Sequence, residues 1–168
     1  LLSIAGINGP GLVVLSGDKL ALDSVLELLN KQGIKSSSLD VSHGFHSPLM
    51  SGVLDDFRQH AQSVAFKPSH VPFYSCLEPE RDPLAPMSAD YWVRHIVEPV
   101  LFYSTLQQLK IANNLTFLEI GPKPVLTGMA RACLPGEKAN WCWSIKEVEN
   151  DRQEMLGQLA ALYQLGAE

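Results

Sequence analysis

The sequence predicts an α/β fold, and two patterns support this prediction. After residue 47, short apolar runs of strand character alternate with runs of helical periodicity, an order typical of a mainly parallel sheet covered by helices. Before that residue, the predicted order of elements is strand, strand, helix, strand. The composition agrees with a folded chain, because 46% of the 168 residues are hydrophobic and 18% are charged.

The first 41 residues predict part of a ferredoxin-like unit. An Asn-Gly-Pro-Gly turn at residues 8–11 separates an opening strand from a second strand at 11–17, which favours an antiparallel hairpin. Leucines at helical spacing then predict a helix over 18–32 that Gly33 ends, and residues 34–41 are predicted to be a third strand. A complete unit needs strand–helix–strand twice. A sheet cut in this way would leave an apolar face uncovered.

A loop, a helix and one further strand are predicted between residues 42 and 90. In the loop at 42–48, Ser47 is the expected N-cap and Pro48 the first residue of a helix that extends to about residue 62. Residues 71–76 are predicted to be a strand. Residues 77–90 contain three prolines, so they are predicted to be a surface loop.

The rest of the chain alternates between helices and strands. Ser88 is expected to cap a helix that contains residues 91–97, and Glu98-Pro99 is expected to end it. The further predicted elements are a helix at 100–112, a buried strand at 116–120, a tight turn at 121–124, a helix at 125–134, a strand at 140–145 and an amphipathic helix at 151–165 with Met155, Leu156, Leu159, Leu162 and Tyr163 facing inward.

Charge, hydropathy and cysteine usage exclude several classes of function. A formal net charge of −5 with no basic run argues against nucleic-acid binding. No apolar stretch reaches about 18 residues and no signal-peptide pattern is present, so neither a membrane span nor secretion is expected. Three widely spaced cysteines without a Cys-x-x-Cys pair predict reduced thiols, two or more of them buried, in a cytoplasmic protein without a metal site.

The sharpest candidate site is the sequence His-Gly-Phe-His-Ser-Pro at residues 43–48. Two histidines in a loop that contains Gly and Ser can act as proton-transfer groups, although many such histidines are plain surface or core residues. A general base needs a nucleophile, and no serine of the chain has the Gly-x-Ser-x-Gly pattern of a nucleophile elbow. The chain therefore carries a candidate base without its nucleophile.

Two further stretches are weaker candidates. At residues 117–128, a strand, a glycine turn and a helix start could bind an anion through main-chain amides, but a plain connector is the more common meaning of that pattern. At residues 91–96, the aromatic residues are most simply part of the core. Arg94 is expected at the surface or in a salt bridge, and a single arginine does not establish a carboxylate site.

Four stretches together resemble the acyltransferase domain of modular polyketide synthases, a relative of malonyl-CoA:acyl carrier protein transacylase. They are residues 4–17, 43–50, 91–102 and 117–130, in the order and approximate spacing of that family. The resemblance implies the C-terminal part of an α/β-hydrolase-like subdomain, expected at residues 47–168. It also implies an incomplete ferredoxin-like subdomain at residues 1–46, with the active site in the cleft between the two.

The resemblance also implies an activity and its residues. His46 matches the family's catalytic histidine, which takes a proton from a serine expected upstream of Leu1 in a ping-pong transfer of malonyl from malonyl-CoA. By motif position, the main-chain carbonyl that orients this histidine is expected at His95. The stretch His43, Gly44, Phe45 and His46 resembles the His-Ala-Phe-His signature of malonyl-selective members, with Gly44 in place of alanine.

The implied partners are an acyl carrier protein, the neighbouring ketosynthase and linker domains, and the upstream half of the same domain. No cofactor is expected to be bound, since malonyl-CoA is a substrate and phosphopantetheine belongs to the carrier protein. Two alternatives stay open at this point: a non-catalytic docking or scaffold module, and a hydrolase that removes stalled acyl groups from carrier proteins.

Overall fold

The computed structural model describes residues 1–109, 116–146 and 150–167. Within these ranges the mixed α/β fold is confirmed, and from Phe102 onward helices and strands alternate as predicted. The elements are β1 (Leu2–Gly9), β2 (Leu12–Gly17), α1 (Lys19–Lys31), a 3-10 helix (Pro48–Val53), α2 (Leu54–Gln62), α3 (Ala89–Val97), α4 (Phe102–Leu109), β3 (Thr116–Glu119), α5 (Val125–Cys133), β4 (Asn140–Trp143) and α6 (Asp151–Gln164). The last three residues of the helix predicted at 100–112 lie outside the described residues.

The predicted hairpin and first helix are confirmed. Strands β1 and β2 pair antiparallel across the predicted turn. The Asp18 side chain caps α1 by accepting hydrogen bonds from the main-chain N–H groups of Leu20 and Ala21. Gly33 follows the helix with a φ of 71°, a left-handed conformation that glycine adopts without steric cost. The local turn and cap signals therefore determine this part of the fold.

Two predicted strands are wrong. Residues 34–41 are exposed and irregular, and no strand of the described residues pairs with them. Residues 71–76 are irregular as well, because their main chain bonds to loops instead of to a ladder: the Phe73 N–H donates to the Pro83 carbonyl and the Cys76 carbonyl accepts from Leu101. A strand needs a partner along its length, and apolar alternation alone does not supply one.

The loop and helix predicted around Ser47 are confirmed with one change. The Ser47 hydroxyl accepts a hydrogen bond from the Leu49 N–H, and Pro48 occupies the first turn. The first six residues, however, form a 3-10 helix before α2 begins at Leu54. This tighter turn connects the 42–48 loop directly to a helical element.

Helix α3 begins and ends as predicted. The Ser88 hydroxyl accepts a hydrogen bond from the Tyr91 N–H, and the helix ends before Pro99. The segment after it is held to β1, since the Val100 N–H donates to the Ala5 carbonyl and the Val100 carbonyl accepts from Ile7. These bonds fix the main chain just beyond the end of α3.

The C-terminal elements form a two-stranded parallel sheet with helices. Strands β3 and β4 pair in parallel, and the rings of Phe117 and Trp141 stack with centroids 4.6 Å apart. The prediction that β3 is buried is wrong, because Leu118 is 44% exposed. The inward face predicted for α6 is also wrong: α6 contacts β4 through Glu154 and Gln158 and has no buried residue.

The chain divides into two compact units, Leu1–Thr105 and Leu106–Glu168. The subdomain boundary predicted after residue 46 stays a prediction. As expected for an incomplete sheet, large apolar side chains of β1 and α1, such as Ile4 and Leu20, are exposed. Among the described helices, none is long and apolar enough to cross a membrane.

Candidate functional site

His46 has an unusual backbone conformation. Its φ is 57°, in the left-handed region that residues other than glycine rarely adopt. The His46 N–H donates to the Ile96 carbonyl at 2.9 Å, so the loop is pinned to the end of α3. Such a conformation costs about 1–3 kcal/mol and persists where the surroundings enforce it, often at functional sites. The half-buried His46 is therefore held in this conformation by its surroundings, which include the hydrogen bond to Ile96.

The imidazole of His46 is oriented by a main-chain carbonyl, but not by the one predicted. Nδ1 of His46 lies 2.9 Å from the carbonyl oxygen of Glu98. The expectation that His95 supplies this carbonyl is therefore corrected to Glu98. Within the part of the chain that the structure describes, no hydrogen bond engages Nε2 of His46.

The Glu98 carbonyl can accept a hydrogen bond from His46 because Glu98 follows the last residue of α3 and precedes Pro99. Pro99 disfavours the helical conformation for the residue before it, and Glu98 has a φ of −87° and a ψ of 155°. Its N–H still donates to the Arg94 carbonyl, but its own carbonyl points out of the helical pattern. The Glu-Pro pair, which predicts the end of the helix, is also the sequence signal that could have identified Glu98.

His95 packs against His46 with its ring. The two ring centroids are 5.6 Å apart in an edge-on arrangement, and the rings of Tyr91 and Trp92 lie 6.1 and 5.8 Å from the His95 ring. Burial, together with the nearby His46, lowers the pKa of His95. The His95 ring therefore packs beside the His46 ring, and its lowered pKa favours the neutral imidazole of His95.

The other predicted site residues lie in the same loop. The His43 ring lies 5.8 Å from the Phe45 ring, and its Nδ1 is 2.8 Å from the Ser42 hydroxyl. Phe45 is 49% exposed, so much of its ring is free to contact another molecule. The carbonyl of Gly44 accepts a hydrogen bond from the fully buried Ser47 hydroxyl at 2.6 Å. The buried serine thus closes the loop from within.

Arg94 forms ion pairs with two glutamates. Its guanidinium contacts both carboxylate oxygens of Glu98, at 2.6 and 3.0 Å, and one oxygen of Glu78 at 2.6 Å. The hydrogen bonds to Glu98 and then to Glu78 raise the pKa of Arg94, and the bond from Arg94 lowers the pKa of Glu98. The expectation of a salt-bridged arginine is confirmed, and each of the three guanidinium nitrogens donates to a glutamate of the chain.

The strand–turn–helix stretch at 117–128 does not offer an open anion site. The Glu119 carboxylate accepts hydrogen bonds from the N–H groups of Leu126 and Thr127, at 3.0 and 2.7 Å, at the start of α5. Burial would raise the pKa of Glu119, but these N–H donors outweigh it and lower the pKa. The chain's own carboxylate occupies the helix N-terminus, so the plain connector is the correct interpretation.

No group of three or more potential metal ligands comes together in residues 1–109, 116–146 and 150–167. Cys76, Cys133 and Cys142 form no disulfide among the described residues, and Cys133 and Cys142 are buried, as predicted for two or more of them. Burial raises the pKa of Cys133. A buried thiol with a raised pKa is structural rather than reactive in character.

Comparisons of the sequence with known proteins find similarity to polyketide synthases. The chain is 36% identical over 159 residues to the polyketide synthase GfsA of Streptomyces halstedii, covering 95% of the chain and 2% of GfsA. It is 40% identical over 139 residues to the spectinabilin polyketide synthase system protein NorB of Streptomyces orinoci, covering 82% of the chain and 6% of NorB. The chain therefore spans a small part of these relatives.

Comparisons with solved structures find similarity to acyltransferases. The acyltransferase domain from the second module of the salinomycin polyketide synthase is 32% identical with a TM-score of 0.92, over 99% of this chain and 39% of that one. An acyl-carrier-protein-S-malonyltransferase from Bartonella henselae is 27% identical with a TM-score of 0.75, over 99% of this chain and 50% of that one. The sequence profile named acyl transferase domain matches residues 2–166, and the chain belongs to that family.

Proposed function

We propose that this chain supplies the general base of an acyltransferase that moves malonyl from malonyl-CoA to the phosphopantetheine thiol of an acyl carrier protein. The observation that carries this proposal is the 2.9 Å contact between Nδ1 of His46 and the Glu98 carbonyl oxygen. A carbonyl accepts but cannot donate, so it selects the tautomer that carries its proton on Nδ1. Nε2 then has the free electron pair that a base requires.

The proposed reaction has two half-reactions. In the first, Nε2 of His46 takes the proton of a serine hydroxyl as the serine attacks the thioester, and the proton then goes to the departing CoA thiolate. In the second, Nε2 takes the proton of the phosphopantetheine thiol as its sulfur attacks the serine ester, and the proton returns to the serine. We place that serine in residues preceding Leu1. No redox step or metal is needed for this balance.

The loop of residues 43–45 is the proposed specificity element. Phe45 lies next to the catalytic histidine in sequence and stays half exposed, so its ring can contact the acyl group beside the reacting carbonyl. A bulky ring there leaves less room for a substituent on C2 of the extender, which favours malonyl over methylmalonyl. One methyl group is worth about 1–3 kcal/mol of discrimination in such a pocket.

The proposed partners follow from the relatives. Both curated relatives are polyketide synthases of which this chain covers 2% and 6%, so an acyl carrier protein and a ketosynthase on the same or a neighbouring chain are the expected companions. A scaffold role would leave the strained His46 and its oriented ring without a use. That observation favours the enzyme.

Replacement of His46 by alanine in the complete acyltransferase domain tests the proposal. Loss of the base should slow malonyl transfer to the carrier protein by about 10²–10⁴-fold. The control is His60→Ala, because Nδ1 of His60 also lies 2.8 Å from a main-chain carbonyl, that of Asp56, but on the exposed face of α2. The control should retain full transfer.

Two results would count against the proposal. A change in the rate of malonyl transfer smaller than about threefold for His46→Ala would show that His46 is not the general base. Hydrolysis of malonyl-CoA that outpaces transfer at saturating carrier protein would assign the site to a hydrolase instead. Both rates are measured in the same assay, by release of CoA and by the mass of the carrier protein.

A further inference from the structure

We propose that Arg94 is a positioning residue for the base: it holds Glu98 so that the Glu98 carbonyl stays aligned with Nδ1 of His46. This inference rests on the proposed function, since alignment matters only if His46 transfers a proton. Arg94 does not touch His46 in the described structure. It acts through the residue whose carbonyl does.

The Arg94–Glu98 contact is a two-bonded fork. Nε of Arg94 donates to Oε1 of Glu98 at 2.6 Å, and Nη2 donates to Oε2 at 3.0 Å. Two parallel bonds between planar groups fix orientation as well as distance, which a single ion pair does not. The side chain of Glu98 is therefore restrained in direction relative to α3.

Glu98 needs this restraint because of where it lies. It is the first residue beyond α3, and its extended conformation removes its carbonyl from the helical hydrogen-bond pattern. The main chain around it is tied to α3 by the Glu98 N–H and to β1 by Val100. The carboxylate fork adds a third attachment on Glu98 itself, the residue that carries the acceptor for His46.

A buried network anchors the other side of Arg94. Nη1 donates to Glu78, whose N–H donates in turn to the hydroxyl of Ser75. Ser75 is 2% exposed and lies 2.8 Å from the Tyr91 hydroxyl. Arg94 thus joins Glu98 to a fixed part of the core, although its own side chain is 46% exposed. An exposed pair of this kind contributes little to stability, so an effect on catalysis would be separable from an effect on folding.

The test uses three variants of the complete acyltransferase domain: Arg94→Gln, Glu98→Gln and the double variant. Misalignment of the acceptor should lower the rate constant for acylation by about 10- to 100-fold in each single variant, with the KM for the acyl donor within about twofold of the parent value. Because both residues serve one contact, the double variant should be no slower than the slower single variant.

The charge changes separate positioning from a direct electrostatic effect. Arg94→Gln removes a positive charge and Glu98→Gln a negative one, so an electrostatic effect on His46 would have opposite signs in the two single variants and would cancel in the double variant. Positioning instead predicts a fall in all three. The control is Arg58→Gln, which breaks the Arg58–Asp90 ion pair at the other end of α3 and should leave the acylation rate unchanged.

Several outcomes would overturn the inference. They are unchanged acylation in either single variant, a double variant that recovers the parent rate, or a loss that appears in KM alone. Should Arg94→Gln fail to fold, as judged by circular dichroism, the isosteric Glu98→Gln decides on the same criteria. Unchanged transfer in His46→Ala would refute the proposed function, whereas a large loss there with normal Glu98→Gln would refute only the role of Arg94.

Discussion

The loop at residues 42–48 and the turn at residues 121–124 are built from similar residues but use their polar groups differently. Both contain glycine and proline, both precede a helical element, and both are candidate sites in the sequence. In the loop, His46 is held at Nδ1 by Glu98 while its Nε2 has no described partner. In the turn, the Gly121 N–H and carbonyl are both bound to the Ser144 hydroxyl, at 2.9 and 3.1 Å.

The difference separates the proposed reactive site from a stable connector. At the turn, the chain's own Glu119 and Ser144 satisfy the N–H groups that could have bound an anion. In the loop, hydrogen bonds fix the backbone and one ring nitrogen but leave the other nitrogen for chemistry. Changes in the loop should therefore alter the reaction, and changes around the turn should alter stability.

After the loss expected in His46→Ala, the largest effect in this comparison is expected from Phe45→Ser. Removal of the ring should make room for a methyl group at C2 of the extender and raise the ratio of kcat/KM for methylmalonyl-CoA to that for malonyl-CoA by about 10- to 200-fold. The ratio is measured by competition between the two donors in the complete domain. A ratio within about threefold of the parent value would remove Phe45 from the selectivity.

A smaller effect, on stability alone, is expected from Glu119→Gln. Loss of the carboxylate that binds the N–H groups of Leu126 and Thr127 should lower the free energy of unfolding by about 0.5–2 kcal/mol, as for other helix caps. Urea unfolding measures this loss. The ratio of kcat/KM for the two acyl donors should not change, and a shift in that ratio would break the distinction between loop and turn.

The loss in Glu119→Gln should also depend on pH. The pKa of Glu119 is lowered in the folded chain, so its carboxylate stabilises the fold above the ordinary value of 4.5. That stabilisation disappears as the pH falls through the lowered pKa. The difference between parent and variant in the free energy of unfolding should therefore be full near neutral pH and shrink below about pH 4. A difference that is constant across this range would contradict the cap.

The smallest effect is expected from Gly44→Ala, which restores the alanine of the signature that the loop resembles. The added Cβ would lie 3.0 Å from Cδ1 of Leu49 and 3.3 Å from the Ser47 hydroxyl. The close contact should destabilise the folded state only slightly, because the side chain of Leu49 is half exposed and can move. Alanine also restricts the unfolded chain, which stabilises the fold, so the two contributions to the free energy of unfolding nearly cancel. The free energy of unfolding should change by less than about 1 kcal/mol. A larger loss in chemical denaturation would show that the buried Ser47 cannot adjust.

Elements with local signals were predictable from the sequence. The turn before β2 and the hydroxyl caps Ser47 and Ser88 each depend on neighbours within a few residues, and all three are found as predicted. The strands predicted at 34–41 and 71–76 failed because strand pairing depends on a partner that local pattern cannot reveal. The prediction of an inward face on α6 failed for a similar reason. The burial of a helix face depends on the surface that packs against it, which the local sequence pattern does not show.

The site was predictable only in part. The proposal of His46 as the base came from its motif, whereas the source of its orienting carbonyl depended on the backbone angles that Pro99 imposes on Glu98. The identity of Glu98 itself does not mark its carbonyl, and Pro99 is the sequence signal for it. The fork between Arg94 and Glu98 could be suspected from their spacing of four, but its link to His46 appears only in three dimensions.

The most direct test of the central claim is the protonation pattern of the His46 ring. In the complete domain with ¹⁵N-labelled histidine, the His46 signals are assigned by comparison with His46→Ala, and the ¹⁵N shifts are read at a pH where the ring is neutral. The account predicts that Nδ1 carries the proton, held by the Glu98 carbonyl, and that Nε2 is unprotonated. A neutral ring with its proton on Nε2 would contradict the account.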